Sequence, residues 1–194
     1  SSLKGAFSMT GDERASCPSS EEIRTLADAK AVTVDAKTRF YSAEHDEIRR
    51  GLTTDIYFVR TREILDRLGL GKTPVVAEIF SRKTGVLAGV GEVSHLLKDK
   101  QVKIWAVPEG EEFASKEVLM RIEGPYDEFG MFETTILGFL ASSSGWATAA
   151  RTAKEAAGDK TVICFGARHV HPAVAPVMER AAVIGGADGA SCIL

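Results

Sequence analysis

Three side chains that can carry a positive charge stand within four residues after an apolar run. Arg168, His169 and His171 follow the run 161–165 and Gly166, and a helical pattern comes after them. Loops at the carboxyl end of a parallel strand are where α/β sheets bind ligands. A guanidinium binds a carboxylate or phosphate through two parallel hydrogen bonds, and an imidazole donates hydrogen bonds or binds a metal. The pattern favours an anion-binding site, although a helix cap with surface histidines would give the same residues.

A tyrosine stands in the first turn of a predicted helix. Thr53, Thr54 and Asp55 are residue types that cap helices, and Tyr57 follows them. A half-exposed ring offers a flat face on which a planar base stacks. A tyrosine that only packs against its neighbours fits the same pattern, so both interpretations stay open.

Glycines dominate the segment 185–191, which joins the last predicted helix to a final apolar run. Such glycines are typical of a helix C-cap and a tight turn. Asp188 and Ser191 are the polar side chains of this segment, and they are the groups that can instead reach a ligand.

A β–α–β unit must position these residues. The run 160–165 is rich in β-branched residues, 171–185 has helical spacing with Pro172 in its first turn, and 188–194 begins another strand. Both strands are apolar throughout, which is typical of a parallel sheet that is covered on both faces. One such unit cannot close a sheet, so the pattern predicts a domain of which only the beginning lies in this chain.

The preceding residues predict a layer of a different character. A helix is expected over about 55–68. Strands are expected over 74–80, 102–107 and 118–123. Short polar turns separate them, which indicates a largely antiparallel sheet. The stretch 127–157 has helical spacing, and its small residues predict two helices with a break near Gly145.

Composition excludes several classes of protein. The chain has 194 residues, with 24 Lys and Arg against 27 Asp and Glu and 44% hydrophobic residues. This hydrophobicity excludes a disordered chain, and the net charge of −3 argues against a basic nucleic-acid binder. The three cysteines are too scattered for a disulfide framework, and no apolar run reaches the about 18 residues of a membrane span. A cytoplasmic location is therefore expected.

Three segments together resemble the nicotinate phosphoribosyltransferase family in its shorter bacterial and archaeal form. They are TDIY at 54–57, FGAR at 165–168 and IGGADGAS at 184–191, in the family's order and spacing. The segments 121–124 and 132–134 also fit, and the resemblance covers about 38–194.

The resemblance implies an enzyme that joins nicotinic acid to 5-phosphoribosyl-1-pyrophosphate, giving nicotinate mononucleotide and pyrophosphate for NAD biosynthesis. It also implies Mg²⁺ as cofactor, ATP as co-substrate and a homodimer whose subunits share the active site. It assigns Tyr57 to stacking on the pyridine ring across the dimer, and Arg168 to substrate contact. His169 stands where the family often has Arg, and Ser191 is expected to bind substrate at the same site.

The resemblance also implies an α/β fold: an N-terminal α+β domain with a mostly antiparallel sheet and helices, then the first β–α–β unit of an incomplete α/β barrel. The expected divisions are a leader and N-terminal extension over 1–37, an N-terminal α/β domain with linking helices over 38–158, and the start of a barrel over 159–194. The family's phosphorylatable histidine and most barrel strands come later. A fragment or truncated relative, inactive alone, is therefore expected.

Two other functions fit the sequence. A quinolinate phosphoribosyltransferase would act on a dicarboxylate, and its site should need more Arg and Lys at the barrel mouth than Arg168 and His169 supply. A non-catalytic domain would only bind a partner or dimerise. A reading frame that continues in phase beyond 194 would favour an enzyme over this last function.

Overall fold

The computed structural model describes residues 22–33 and 39–193. Its helices are α1 (Leu26–Ala31), α2 (His45–Arg49), α3 (Ile56–Leu68), α4 (Val90–Leu96), α5 (Tyr126–Phe129), α6 (Glu133–Ala157) and α7 (Ala175–Gly185). Its strands are β1 (Pro74–Phe80), β2 (Gly85–Val86), β3 (Lys103–Ala106), β4 (Glu112–Phe113), β5 (Val118–Pro125), β6 (Ile163–Cys164) and β7 (Gly189–Ala190). Two 3₁₀ turns lie at Gly130–Phe132 and Ala167–His169.

The predicted antiparallel sheet is confirmed. It has the order β1–β5–β3, and each strand lies within two residues of its expected bounds. The central strand places Ile122 opposite both Ala77 and Ile104. Ile122 is 1% exposed, so one face of this strand forms the floor of the core. The short strands β2 and β4 form a separate antiparallel pair.

The main core packs helices onto this sheet. Phe58 and Val59 of α3, Phe132 and Ile136 at the start of α6, and Ile122 belong to one buried cluster. The helical spacing over 55–68 is confirmed, since α3 begins after Asp55 and ends at Gly69 in the left-handed conformation. Burial of Phe58 and Val59 is what stabilises the helix, because a short helix is marginal alone in water.

Helix α6 is continuous through Gly145, so the expected break there is wrong. The interruption lies earlier, at the 3₁₀ turn Gly130–Phe132. In the middle of α6 the Ser144 hydroxyl accepts a hydrogen bond from the Ala88 N–H at 3.1 Å. The Thr148 hydroxyl accepts another from the Val86 N–H at 2.9 Å. These bonds and the surrounding packing outweigh the low helix propensity of the glycine.

The expected β–α–β unit is present in the C-terminal part. Strands β6 and β7 are parallel, with Cys164 opposite Ala190, and α7 connects them. Each strand has two residues, fewer than its apolar run. Helix α7 begins at Ala175 with Pro176 in its first turn, so Pro172 precedes the helix and does not lie within it. The predicted fold class is confirmed: a mixed α/β chain with an antiparallel sheet, followed by the start of a parallel α/β unit.

Residues 22–33 pack on the sheet domain. Thr25 caps α1 in a capping box with Asp28. Ile23 is 6% exposed and donates its N–H to the Arg50 carbonyl at 2.8 Å. The remaining residues of the predicted leader 1–37, Cys17 among them, lie outside the described residues, and the domain bounds stay predictions. In the ranges 22–33 and 39–193, no helix is long and apolar enough to cross a membrane.

Candidate functional site at the carboxyl ends of the parallel strands

The 3₁₀ turn Ala167–His169 presents Arg168 and His169 after the carboxyl end of β6. Both side chains are exposed, and the His169 N–H donates to the Gly166 carbonyl at 2.9 Å. A Cβ atom on Gly166 would lie 2.5 Å from Cε of Met178, so the turn lies directly against α7. The Arg168 guanidinium takes part in none of the hydrogen bonds or ion pairs formed among the described residues. It is therefore available to an anionic ligand.

Ser191 follows β7 and is fixed by two hydrogen bonds. Its N–H donates to the Cys164 carbonyl at 3.1 Å, and its hydroxyl donates to Oε1 of Glu179 at 2.8 Å. Glu179 is 1% exposed and lies on α7, between the two strand ends. Since a hydroxyl oxygen also accepts hydrogen bonds, Ser191 can still accept one from a ligand.

Glu179 is a buried carboxylate that the sequence reasoning missed. Burial alone would raise its pKa, but hydrogen bonds from the Cys192 N–H and the Ser191 hydroxyl lower it. The group is therefore ionised at neutral pH. A single carboxylate within a largely apolar helical stretch was the available signal, but its partners lie 12 residues or more away along the chain and no local pattern indicates them.

Asp188 lies at the opposite end of the strands from Arg168. Its Oδ2 accepts hydrogen bonds from the Lys154 ammonium and the Val162 N–H, both at 2.8 Å. These two bonds hold the pKa of Asp188 below its usual value. Asp188 therefore secures the turn before β7, and the interpretation that it reaches a ligand beside Ser191 is wrong.

Tyr57 lies in the first turn of α3, with 56% of its surface exposed. Asp55, which precedes α3, accepts a hydrogen bond from the Thr134 hydroxyl at 2.9 Å, so the start of α3 is attached to the start of α6. The Tyr57 ring is tilted against Phe58, with 4.4 Å between the ring centroids. Partial burial and the charges of Asp55 and Glu133 raise the pKa of Tyr57, so its phenol is neutral at physiological pH.

Helices α6 and α7 run in the same direction. The end of α7 meets the later half of α6, because a Cβ atom on Gly185 would lie 2.1 Å from the Ala147 carbonyl oxygen. The guanidinium of Arg180, from the middle of α7, reaches the first turn of α4 beside Gly91. The start of α4 in turn packs against the backbone of Phe139, in the first half of α6. Earlier residues of α7 therefore lie nearer to the first half of α6, and later residues lie against its second half, as expected for parallel helices.

This common direction brings Tyr57 and Arg168 toward the same end of the helix pair. Tyr57 lies beside the first turn of α6, and the turn with Arg168 comes just before α7. Helix α6 is about 37 Å long at the usual rise per residue. If α6 and α7 were antiparallel, Tyr57 and Arg168 would therefore lie near opposite ends of the helix pair. The substrate-binding roles of Tyr57, Arg168, His169 and Ser191 stay predictions.

The polar side chains in the second half of α6 stabilise the fold by bonding to other elements. Arg151 donates hydrogen bonds to the carbonyls of Gly185 at 2.8 Å and Gly110 at 3.1 Å, and it pairs with Glu112 at 2.6 Å. It therefore ties α6 to the end of α7 and to the β4 region. Thr148 is committed to the backbone of β2, as described above.

The described residues contain no group of three or more His, Cys, Asp or Glu side chains arranged to hold a metal ion. His171, the second histidine of the Arg168 segment, accepts a hydrogen bond at Nδ1 from the Ala173 N–H at 3.2 Å. We therefore assign no metal ligand among these residues and derive no step through Mg²⁺.

Comparison with known proteins shows similarity to phosphoribosyltransferases that act on pyridine carboxylates. Residues 55–144 match the family model of the quinolinate phosphoribosyl transferase N-terminal domain. The crystal structure of nicotinate-nucleotide pyrophosphorylase from Pyrococcus furiosus is 47% identical, with a TM-score of 0.77 over 80% of this chain and 41% of that one. A probable carboxylating nicotinate-nucleotide pyrophosphorylase of Methanothermobacter thermautotrophicus is 29% identical over 74% of this chain and 52% of its own length. This chain thus spans about half, or less, of these relatives.

These findings correct the family expected from the motifs. The matching family model is the quinolinate enzyme's, and the two relatives above are nicotinate-nucleotide pyrophosphorylases, so the expectation of a nicotinate phosphoribosyltransferase is wrong. Similarity does extend to that enzyme type, since a nicotinate phosphoribosyltransferase of Dictyostelium discoideum is 27% identical over 90% of this chain and 37% of its own length. The quoted motifs therefore do not separate the two types of phosphoribosyltransferase.

Proposed function

We propose that the protein to which this chain belongs is a quinolinate phosphoribosyltransferase. In this reaction the pyridine nitrogen of quinolinate, pyridine-2,3-dicarboxylate, forms a bond to C1 of 5-phosphoribosyl-1-pyrophosphate, and pyrophosphate leaves with the electrons of the broken C–O bond. Loss of the 2-carboxylate as CO₂ then leaves its electron pair on C2, which takes a proton. The products are nicotinate mononucleotide, pyrophosphate and CO₂.

The match of residues 55–144 to the quinolinate family model is the observation that carries this proposal. The name of the Methanothermobacter relative describes the same reaction in reverse, since a carboxylating pyrophosphorylase consumes the nucleotide, pyrophosphate and CO₂. The exposed Arg168 guanidinium, with His169 beside it, suits a substrate in which every charged group is an anion.

The proposed roles follow from the positions of the side chains. Arg168 binds a carboxylate or phosphate oxygen pair through its planar fork. Tyr57 supplies an aromatic face for the pyridine ring. Holding the ring nitrogen in line with C1 is the main requirement, because little covalent work is needed from the protein in glycosyl transfer.

A dicarboxylate and a pyrophosphate need more cationic groups than Arg168 and His169 supply. The additional Arg and Lys side chains would come from barrel strands beyond this chain or from the second subunit of a homodimer. The homodimer and Mg²⁺ remain proposals, whereas ATP, which the nicotinate resemblance implied, takes no part in the reaction proposed here.

A substrate comparison with the full-length protein tests the proposal. The initial rate of mononucleotide formation is measured with 5-phosphoribosyl-1-pyrophosphate and either quinolinate or nicotinate. A kcat/KM for quinolinate at least about a hundredfold above that for nicotinate is expected, because the site would be built for two carboxylates. Turnover of nicotinate alone would contradict the proposal.

A further inference from the structure

A buried carboxylate on α7 binds the loop that follows β7, beside the turn that follows β6. Oε1 of Glu179 accepts the Ser191 hydroxyl at 2.8 Å, and Oε2 accepts the Cys192 N–H. The Ser191 N–H donates to the Cys164 carbonyl at 3.1 Å. Gly166, which precedes the turn with Arg168, packs against Met178, the neighbour of Glu179 on α7. Glu179 therefore holds the loop after β7 directly beside the turn after β6.

An ionised carboxylate at 1% exposure is costly unless hydrogen bonds replace its hydration. Glu179 meets this condition with two donors from the loop after β7, the Ser191 hydroxyl and the Cys192 N–H. Hydrogen bonds to a charged acceptor are stronger than neutral ones, and they fix distance and direction. The position of the loop after β7 thus depends on these two oxygen atoms, and the hydrogen bond from the Ser191 N–H to the Cys164 carbonyl fixes that loop relative to the end of β6.

We propose that Glu179 is a positioning residue for substrate binding: by bonding to the loop after β7, it fixes Ser191 relative to the Arg168 turn. This inference deepens the proposed function and rests on it for its kinetic consequence. Glu179 itself is too buried to touch substrate, so it acts through Arg168 and Ser191.

A carboxylate that only stabilises the fold would give the same hydrogen bonds, so the test needs a variant that keeps the volume. Glu179→Gln preserves the shape of the side chain and one acceptor oxygen. The NH₂ group that replaces the other oxygen then faces a hydrogen-bond donor and cannot accept its bond. Glu179→Asp preserves the charge and shortens the side chain by one carbon. The matched control is Ser144→Ala, which removes another buried side-chain hydrogen bond, with Ala88 at 3.1 Å, that involves neither loop.

The first measurement is amide hydrogen exchange in the full-length protein. In Glu179→Gln, the amides of 166–170 and 189–192 are expected to exchange at least about tenfold faster than in the wild type, with the sheet β1–β5–β3 unchanged. In Ser144→Ala these two segments should keep wild-type exchange. Unchanged exchange of both loops in Glu179→Gln would overturn the inference whatever the enzyme's substrate is.

The second measurement is kinetic. In Glu179→Gln a loss of about tenfold or more in kcat/KM for quinolinate is expected, with partial recovery in Glu179→Asp, while Ser144→Ala keeps wild-type values at a temperature where all variants are folded. Faster loop exchange with unchanged kinetics would show that Glu179 is structural only, and would overturn the inference. If the wild-type protein does not use quinolinate, the proposed function fails, and the exchange experiment still decides whether Glu179 holds the loops.

Discussion

Gly185 and Ala147 approach so closely that a Cβ atom on Gly185 would lie 2.1 Å from the Ala147 carbonyl oxygen. The neighbour is backbone, which cannot move aside cheaply. This contact sets the distance between α6 and α7, and so it fixes the first helix of the β–α–β unit on the long helix of the preceding domain. Arg151 supports the same crossing through its hydrogen bond to the Gly185 carbonyl.

Gly185→Ala is therefore expected to lower the free energy of unfolding by about 1–3 kcal/mol or more, because the added methyl forces the helices apart. The measurement is urea unfolding of the full-length protein. The matched control is Gly145→Ala, at a helical glycine with no atom within 4 Å of an added Cβ. Since α6 continues through Gly145, this control should gain about 0.5–1 kcal/mol. A loss of stability in Gly145→Ala would contradict the continuous helix.

Tyr57→Ala should weaken binding of the pyridine substrate in the full-length enzyme. Loss of a stacking face is worth about 1–3 kcal/mol, which corresponds to a five- to roughly 150-fold change in KM or kcat/KM for quinolinate. Tyr41→Ala serves as control, because Tyr41 is 88% exposed outside α3. Wild-type kinetics in Tyr57→Ala would remove Tyr57 from the site.

Arg168→Lys keeps the charge and removes the planar fork. A loss of about 1.5–3 kcal/mol in transition-state binding is expected, or roughly ten- to a hundredfold in kcat/KM. The rise in KM identifies the ligand group: an increase for quinolinate places Arg168 on a carboxylate, and an increase for 5-phosphoribosyl-1-pyrophosphate places it on a phosphate. If neither kcat nor KM changes, Arg168 is a surface residue of the turn.

Glu22 should make the attachment of the N-terminal residues dependent on pH. Burial would raise the pKa of Glu22, but its ion pairs with Lys100 and Arg62 lower it below the ordinary 4.5. A lowered folded-state pKa stabilises the fold above the unfolded value, and this contribution is lost as the pH falls through the folded value.

Glu22→Gln is therefore expected to cost about 1–2 kcal/mol at pH 7 and much less at pH 3, as measured by urea unfolding at both values. The exposed Glu155→Gln of α6 is the control and should change stability little at either pH. An equal loss at pH 7 and pH 3 would show that the ion pairs do not carry the effect.

The isolated 194-residue polypeptide should self-associate. Phe165 is 66% exposed, Ile163 43% and Val183 48%, and they flank the two short parallel strands. Exposed apolar surface of this kind marks an interface or an aggregation site. Light scattering is expected to show species larger than a monomer, and Phe165→Ser should reduce them. A monomeric, thermally stable polypeptide would contradict this expectation.

The sequence predicted those helices and strands that are determined by residues within their own segment. Pro74–Phe80 and Ile56–Leu68 were predictable because the apolar spacing and the terminating Gly69 lie within the segments themselves. Gly145 was misinterpreted, since hydrogen bonds from distant backbone to Ser144 and Thr148 hold the helix together around it.

The candidate site was predictable only in part. The position of Arg168 after a parallel strand follows from a short segment, and the structure places it there. Asp188 was misplaced because the two ends of a strand look alike in sequence, and its partner Lys154 lies 34 residues away. Glu179 was missed for the same reason: its role depends on loops that meet only in the folded chain.

The fate of the 2-carboxylate of quinolinate tests the central claim most directly. Quinolinate labelled in that carboxylate is incubated with 5-phosphoribosyl-1-pyrophosphate and the full-length protein, and the labelled CO₂ and the mononucleotide are both counted. The proposed reaction releases one CO₂ for each nicotinate mononucleotide formed. Formation of the mononucleotide from nicotinate, with no labelled CO₂ from quinolinate, would contradict it.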